Sequence, residues 1–214
     1  MTFASPIVRW RKAVGAPADG RPPLLILLHG RGADEHDLFG LAPAVDPRFA
    51  IASVRGPLEA EGAYTWFESR SPGRPVAESL RASIDGMNGW IDSLQGDRAE
   101  PQPIFLMGFS AGMMMAAALI LDRPRRYAGG VLLSGALPFD TDLSIVKDRL
   151  GGVPLFYAHG SFDRVIPADL VARTQAYLRD SSGARLTTRD YPIAHEIGAT
   201  EMDEIAAWLT KAAI

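Results

Sequence analysis

The chain of 214 residues contains no cysteine. That excludes disulfide bonds, a thiol nucleophile and thiolate metal ligation, and it fits a reducing, cytoplasmic setting. An excess of charge of either sign is also lacking. Lys and Arg number 22 against 25 Asp and Glu, a formal net charge of −3. So even a balance argues against nucleic acid or an anionic membrane surface as the main partner. No apolar run approaches the roughly 20 residues that cross a bilayer, so stable membrane insertion is not expected. The opening stretch MTFASPIVRWRKAVG lacks the apolar core of a signal peptide. Internal repeats, low-complexity tracts and dividing linkers are absent too. The expectation is one domain over residues 1–214, long enough to bury a sizeable core.

What is present alternates between two periods. Leu24–Leu28, Phe49–Val54, Ile104–Met107, Tyr127–Leu133 and Val153–Ala158 are short apolar runs, the signature of strands covered on both faces. Ile7–Trp10 reads as an edge strand, followed by a Gly/Ala/Pro loop over Gly15–Pro23, and Arg185–Tyr191 alternates as a last strand. Helical spacing marks Val76–Leu94, Pro167–Ser181 and Thr200–Ala213, with a shorter helix over Glu35–Val45. Gly86 and Gly89 weaken the first of these on propensity, unless they permit close approach to the sheet. Thr200 with Asp203 resembles a capping box for the last helix. Arg55–Gly62 reads as loop, Tyr64–Phe67 as an aromatic cluster in a long connection, and Leu137–Gly152 as irregular and the one candidate cap. Strands alternating with helices predict an α/β fold with a mainly parallel sheet and helices on both faces.

One stretch organises the chemistry. Pro103–Leu121 reads PIFLMGFSAGMMMAAALIL, a strand, then Gly108-Phe109-Ser110-Ala111-Gly112, then a buried helix. G-x-S-x-G in that context is a nucleophile elbow, whose tight turn needs side-chain-free flanks and exposes the serine at a helix N-terminus. Met113, Met114 and Met115 then read as core packing. Serine needs an adjacent base. In this architecture the base follows the serine in the chain, and His195 lies in the loop after the last strand. His29, His36 and His159 read as structural. The acid belongs between Ser110 and His195 in a post-strand loop, and Asp163 in His159-Gly160-Ser161-Phe162-Asp163 fits best. Asp190 and Glu196 stay open as alternatives. Asp169 reads as a helix N-terminal charge, and Asp122 and Asp180 as helix-end surface charges. Two backbone donors should face the oxyanion: the N–H of Ala111, and an N–H from the His29-Gly30-Arg31-Gly32 loop, with Arg31 favoured. His29, Asp34, His36 and Asp37 lack a metal-ligand spacing, and the Gly30–Gly32 loop lacks the Lys-Ser/Thr of a phosphate loop.

With Leu28-His29-Gly30-Arg31-Gly32-Ala33-Asp34, the elbow, His159–Pro167 and Ala194-His195-Glu196-Ile197 in this order, the chain resembles the phospholipase/carboxylesterase family of small α/β-hydrolases, which includes the acyl-protein thioesterases. The resemblance implies an α/β-hydrolase fold with little or no lid and a cofactor-independent enzyme. It matches Ser110, Asp163 and His195 to the nucleophile, acid and base, and Arg31 and Ala111 to the oxyanion donors. It also matches Trp66-Phe67 to an aromatic segment near the acyl pocket. Two positions depart from the family's pattern. Ala111 stands where Gln is usual, and Arg31 where an apolar residue is common, its side chain either contacting an anionic group of the substrate or, the favoured reading, facing solvent. The function implied is a serine hydrolase acting on small-molecule carboxylic esters or thioesters, with no metal. A lysophospholipase or acyl-protein thioesterase is the near alternative, and a non-catalytic binding protein of the same fold the distant one. The aromatic patch around Trp66 is a candidate homodimer contact.

Overall fold

A computed structural model describes residues 5–15, 21–95 and 102–213. Residues 16–20 of the expected Gly15–Pro23 loop, and the first four of the N-terminal stretch, lie outside these. Seven strands form the main sheet: β1 Val8–Arg11, β2 Leu24–Leu28, β3 Ala50–Val54, β4 Ile104–Phe109, β5 Gly129–Leu133, β6 Pro154–Gly160 and β7 Arg185–Tyr191. Their order is β1-β3-β2-β4-β5-β6-β7. Only β1 runs antiparallel, pairing Val8 with Val54; the others are parallel.

The reason lies in the side chains. All five residues of β2 are buried, because helices cover both faces. Leu24, Ile26 and Leu28 face one core, Leu25 and Leu27 the other. The first core takes α1 Ala77–Gln95, α2 Ala111–Asp122 and α3 Ala168–Asp180, through Leu80, Ile84, Met87, Leu170 and Leu178. The second takes α4 Ala199–Ala212 through Met202, Ile205 and Leu209. In α2 every residue from Gly112 to Leu121 is buried, Met113–Met115 included, so that helix carries no polar face.

Several expectations are corrected. The helix expected over Glu35–Val45 is a 3-10 segment, Leu38–Ala44, with Pro43 inside it. Proline lacks the N–H that an α-helix interior needs. Arg55–Gly62 is not plain loop: Leu58–Ala60 and Ala63–Thr65 form a hairpin. Its turn, Glu61-Gly62, has both residues at positive φ, 54° and 81°. A second small hairpin pairs Ser69–Ser71 with Arg74–Pro75. Gly89 does not approach the sheet, since a Cβ there would meet nothing within 4 Å. The start of α4 is capped differently as well. Gly198 is the N-cap, and the Glu201 carboxylate reaches back 3.1 Å to its N–H. Asp122 is no plain surface charge: it accepts from Arg81 at 2.8 Å and Asn88 at 2.9 Å, joining α2 to α1. Leu137–Gly152 is irregular as expected, but it is pinned along α3. Leu137 N–H donates to Thr174 Oγ1 and the Tyr177 hydroxyl to Val146 O, both at 3.0 Å.

Candidate active site

The parallel strands end on one edge of the sheet, where α/β folds collect their functional loops. Ser110 follows β4 directly and caps α2 with φ 56° and ψ −115°. For a residue with a Cβ this is a strained conformation, costing about 1–3 kcal/mol. The surroundings impose it. Ser110 N–H donates to Leu133 O on β5 at 3.0 Å, and its carbonyl accepts from Met114 N–H at 3.2 Å. The flanking glycines have no room for a side chain. A Cβ on Gly108 would lie 2.1 Å from Gly112 O, and one on Gly112 1.9 Å from Leu28 O. The start of α2 is therefore seated against the end of β2.

The structure brings three distant residues together. His195 Nε2 lies 2.9 Å from Ser110 Oγ, and His195 Nδ1 lies 2.7 Å from Asp163 Oδ2. A carboxylate only accepts, so Nδ1 carries the proton and Nε2 is left to accept from the serine hydroxyl. The Asp163 side chain has no exposed surface. Burial alone would raise its pKa. The His195 bond and the N–H groups of Val165 (2.8 Å) and Ile166 (3.2 Å) outweigh that and hold it below the usual carboxylate value. Phe109 packs its ring 4.8 Å from the His195 ring. Sequence reasoning passed over Phe109, although its place between Gly108 and Ser110 is a usable signal.

The loops that carry Asp163 and His195 are joined by backbone. Ser161 N–H donates to Tyr191 O at 2.7 Å and Phe162 N–H to Ile193 O at 3.0 Å. Gly160 makes that approach feasible, since a Cβ there would sit 2.3 Å from Ala194 O. The alternative acid Asp190 is instead engaged with Gln175 Nε2 at 3.3 Å.

On the other side of Ser110, the loop after β2 is built from inside. His29 is 1% exposed. Its Nδ1 bonds Gly30 O at 2.7 Å, its Nε2 accepts from Gly56 N–H at 2.9 Å, and its carbonyl accepts from Trp66 Nε1 at 2.8 Å. Burial pushes its pKa down, so the ring is a neutral strut. A Cβ on Gly30 would lie 3.6 Å from Ser110 Cβ, so this turn borders the serine. Neither the Arg31 nor the Ala111 N–H donates to a backbone carbonyl among the described residues. The Arg31 side chain is not simply solvated: its Nε donates to Glu61 Oε1 at 2.7 Å, across to the hairpin tip. His159 is buried on β6, its Nε2 3.7 Å from Asp163 Oδ2, and burial lowers its pKa.

Trp66 and Phe67 are turned into the core. They are 0% and 2% exposed, so these two side chains present almost no surface of their own. Their apolar area is taken up by the core. Trp66 supports the His29 carbonyl from behind.

One family model, described as Phospholipase/Carboxylesterase, matches residues 11–213. The chain belongs to that family. It is a hydrolase of the carboxylesterase and acyl-protein thioesterase type, on the α/β-hydrolase fold. Among its relatives is Acyl-protein thioesterase 1 of Kluyveromyces lactis, 25% identical over 221 residues, covering 93% of this chain and 96% of that protein. The Bacillus subtilis (strain 168) protein MhqD is 26% identical over 192 residues, 89% of this chain and 94% of its own. The crystal structure of the Bacillus cereus carboxylesterase superposes with a TM-score of 0.83 at 26% identity, covering 98% of this chain and 95% of that one. No helix among the described residues is long and apolar enough to cross a membrane.

Proposed function

We propose that this family member cleaves small-molecule carboxylic esters or thioesters through an acyl-enzyme on Ser110, as one α/β-hydrolase domain. The observation that carries the reading is the unbroken chain of contacts from Ser110 Oγ to His195 Nε2 at 2.9 Å and from His195 Nδ1 to Asp163 Oδ2 at 2.7 Å.

Ser110 Oγ attacks the carbonyl carbon while His195 Nε2 takes its proton. Asp163 keeps Nδ1 protonated, which leaves Nε2 free to act as base, and its charge stabilises the imidazolium as it forms. The negative charge that develops on the carbonyl oxygen falls to the N–H groups of Ala111 and Arg31, with the N-terminus of α2 adding its dipole. His195 returns the proton to the departing alcohol or thiol, and the C–O or C–S bond breaks. Water, deprotonated by the same nitrogen, then releases the acid and restores Ser110. Each oxyanion donor in such a site is worth roughly 2.7–4 kcal/mol. All the groups required are side chains and amides of the chain itself, and short to medium acyl groups suit a site without an extended lid.

Ser110→Ala tests this. It should abolish hydrolysis of p-nitrophenyl acetate and butyrate, and block labelling by a fluorophosphonate, while the circular dichroism spectrum is kept. An unchanged rate would refute the reading. A panel varying acyl length and leaving group then separates esterase, lysophospholipase and thioesterase preference.

A further inference from the structure

Behind the Arg31 amide lies a charged pair that acyl transfer itself does not use. Glu35 is 4% exposed, and one guanidinium grips both its oxygens. Arg55 Nε reaches Oε2 at 2.5 Å, and Nη2 reaches Oε1 at 2.6 Å. The same guanidinium stands 4.5 Å over the Tyr64 ring and donates from Nη1 to its hydroxyl at 3.2 Å.

Tyr64 passes this on through its main chain. Its N–H donates to Ala33 O at 3.0 Å, and its carbonyl accepts from Gly32 N–H at 2.9 Å. The Gly32 N–H shares a planar unit with the Arg31 carbonyl. Fixing that plane leaves the Arg31 N–H only the rotations within its own residue. From the next position, Gly56 N–H holds the His29 ring at 2.9 Å. The segment from His29 to Glu35 is thus held at both ends and in the middle, from one side, by the stretch from Arg55 to Tyr64.

An apolar pair of similar volume would stabilise such a spot about as well as buried ions do. What the forked guanidinium adds is direction, because its two parallel hydrogen bonds set angles as well as distance. On the footing of the oxyanion role given above to the Arg31 amide, we propose that Glu35 and Arg55, acting through Tyr64, are positioning residues that aim this amide at the developing oxyanion.

The test compares Glu35→Gln, Arg55→Lys, Tyr64→Phe and the apolar double variant Glu35→Leu/Arg55→Met with the wild type. The readouts are kcat and KM for p-nitrophenyl butyrate, the Ki of an alkyl boronic acid that forms a tetrahedral adduct on serine, and Tm. In the two ion-pair single variants, kcat should fall about 10-fold, a fraction of the 10²–10³ expected for outright loss of a donor. KM should stay within twofold, the boronic acid Ki should rise by the same factor as kcat falls, and the acid limb of the pH profile should not move. The double variant should regain wild-type Tm without regaining kcat, which a merely stabilising pair cannot explain. Folded ion-pair variants with wild-type kcat and Ki, or a loss confined to KM, would overturn the proposal. Where Glu35→Gln fails to fold, Tyr64→Phe, which keeps the ring and the ion pair, must still show the kcat and Ki changes in milder form; wild-type values there and in Arg55→Lys overturn it. A wild-type protein that neither hydrolyses ester nor takes a fluorophosphonate refutes the acyl-enzyme reading and this one with it, a result distinct from active clamp variants.

Discussion

Replacing Gly112 with alanine adds one methyl group at the worst place in the molecule. The new Cβ would lie 1.9 Å from Leu28 O, 2.4 Å from Leu28 C and 2.5 Å from His29 O. A carbon–oxygen contact wants about 3.3 Å, so the two backbones must part by roughly 1.4 Å along the shortest of these distances. No flexible side chain stands between them to yield. Separation carries the first turn of α2 away from the end of β2. The Ala111 amide then leaves the Arg31 amide, and Ser110 Oγ leaves its 2.9 Å contact with His195. Misplacement by about 1 Å costs around 10²-fold in rate, and loss of one oxyanion donor 10²–10³-fold. We therefore expect kcat/KM for p-nitrophenyl butyrate to fall at least 10²-fold. Overpacking of this kind also costs about 1–3 kcal/mol of stability, or roughly 2–12 °C in Tm for a chain of this size. The assay is steady-state kinetics well below the new Tm, with circular dichroism to verify folding and the fluorophosphonate labelling rate as a second readout. A folded Gly112→Ala protein within tenfold of wild-type kcat/KM would refute the claim that the serine's geometry depends on this backbone contact.

Other outcomes follow from the same geometry. Asp163→Asn should lower kcat by about 10³–10⁴-fold with little change in KM, by analogy with the serine protease acid; a loss under tenfold would move the role to Asp190 or Glu196. Because Asp163 is already held below the usual carboxylate value, no limb of the kcat/KM profile above about pH 4 should belong to it. Glu35 is pulled from its usual 4.5 to about 2, chiefly by its hydrogen bonds from Arg55. A depressed carboxyl contributes stability that is complete above the unfolded pKa and is lost as pH falls through the folded one. Denaturant titrations should show that loss between about pH 4.5 and 2, and Glu35→Gln should flatten that part of the curve. Gly89→Ala, on the exposed face of α1 with nothing within 4 Å of the new Cβ, should add about 0.5–1 kcal/mol, seen as a rise of roughly 1–4 °C in Tm at unchanged kcat.

Where function is local, the chain spells it out. The run Leu24–Leu28 announces a doubly covered strand because nothing polar interrupts it, and G-x-S-x-G announces its turn because only glycine fits there. Chain order together with post-strand position selects His195 and Asp163 as partners for Ser110, and the structure brings those three side chains together. What escaped depends on partners distant in sequence. Nothing near Glu35 says that Arg55 and Tyr64 will enclose it. The aromatic run around Trp66 carries no mark of which way it faces, and the fold turns it inward to bond the His29 carbonyl. The Leu58–Thr65 hairpin was missed because Glu61-Gly62 is not the usual Asn-Gly or Asp-Gly turn. The cap of α4 was misassigned because a glycine with a returning glutamate has only half the usual pattern.

The loops after β6 and β7 form one unit. Asp163 and His195 share one frame, stitched by Ser161 to Tyr191 and Phe162 to Ile193 and closed over Gly160, whereas Ser110 belongs to another. Anyone remodelling this protein should move that pair as one unit and leave Trp66 and the hairpin in place, since both hold the loop after β2. A residue inserted into either loop of the pair alone would slip the stitches out of register, so the two can be lengthened only in concert.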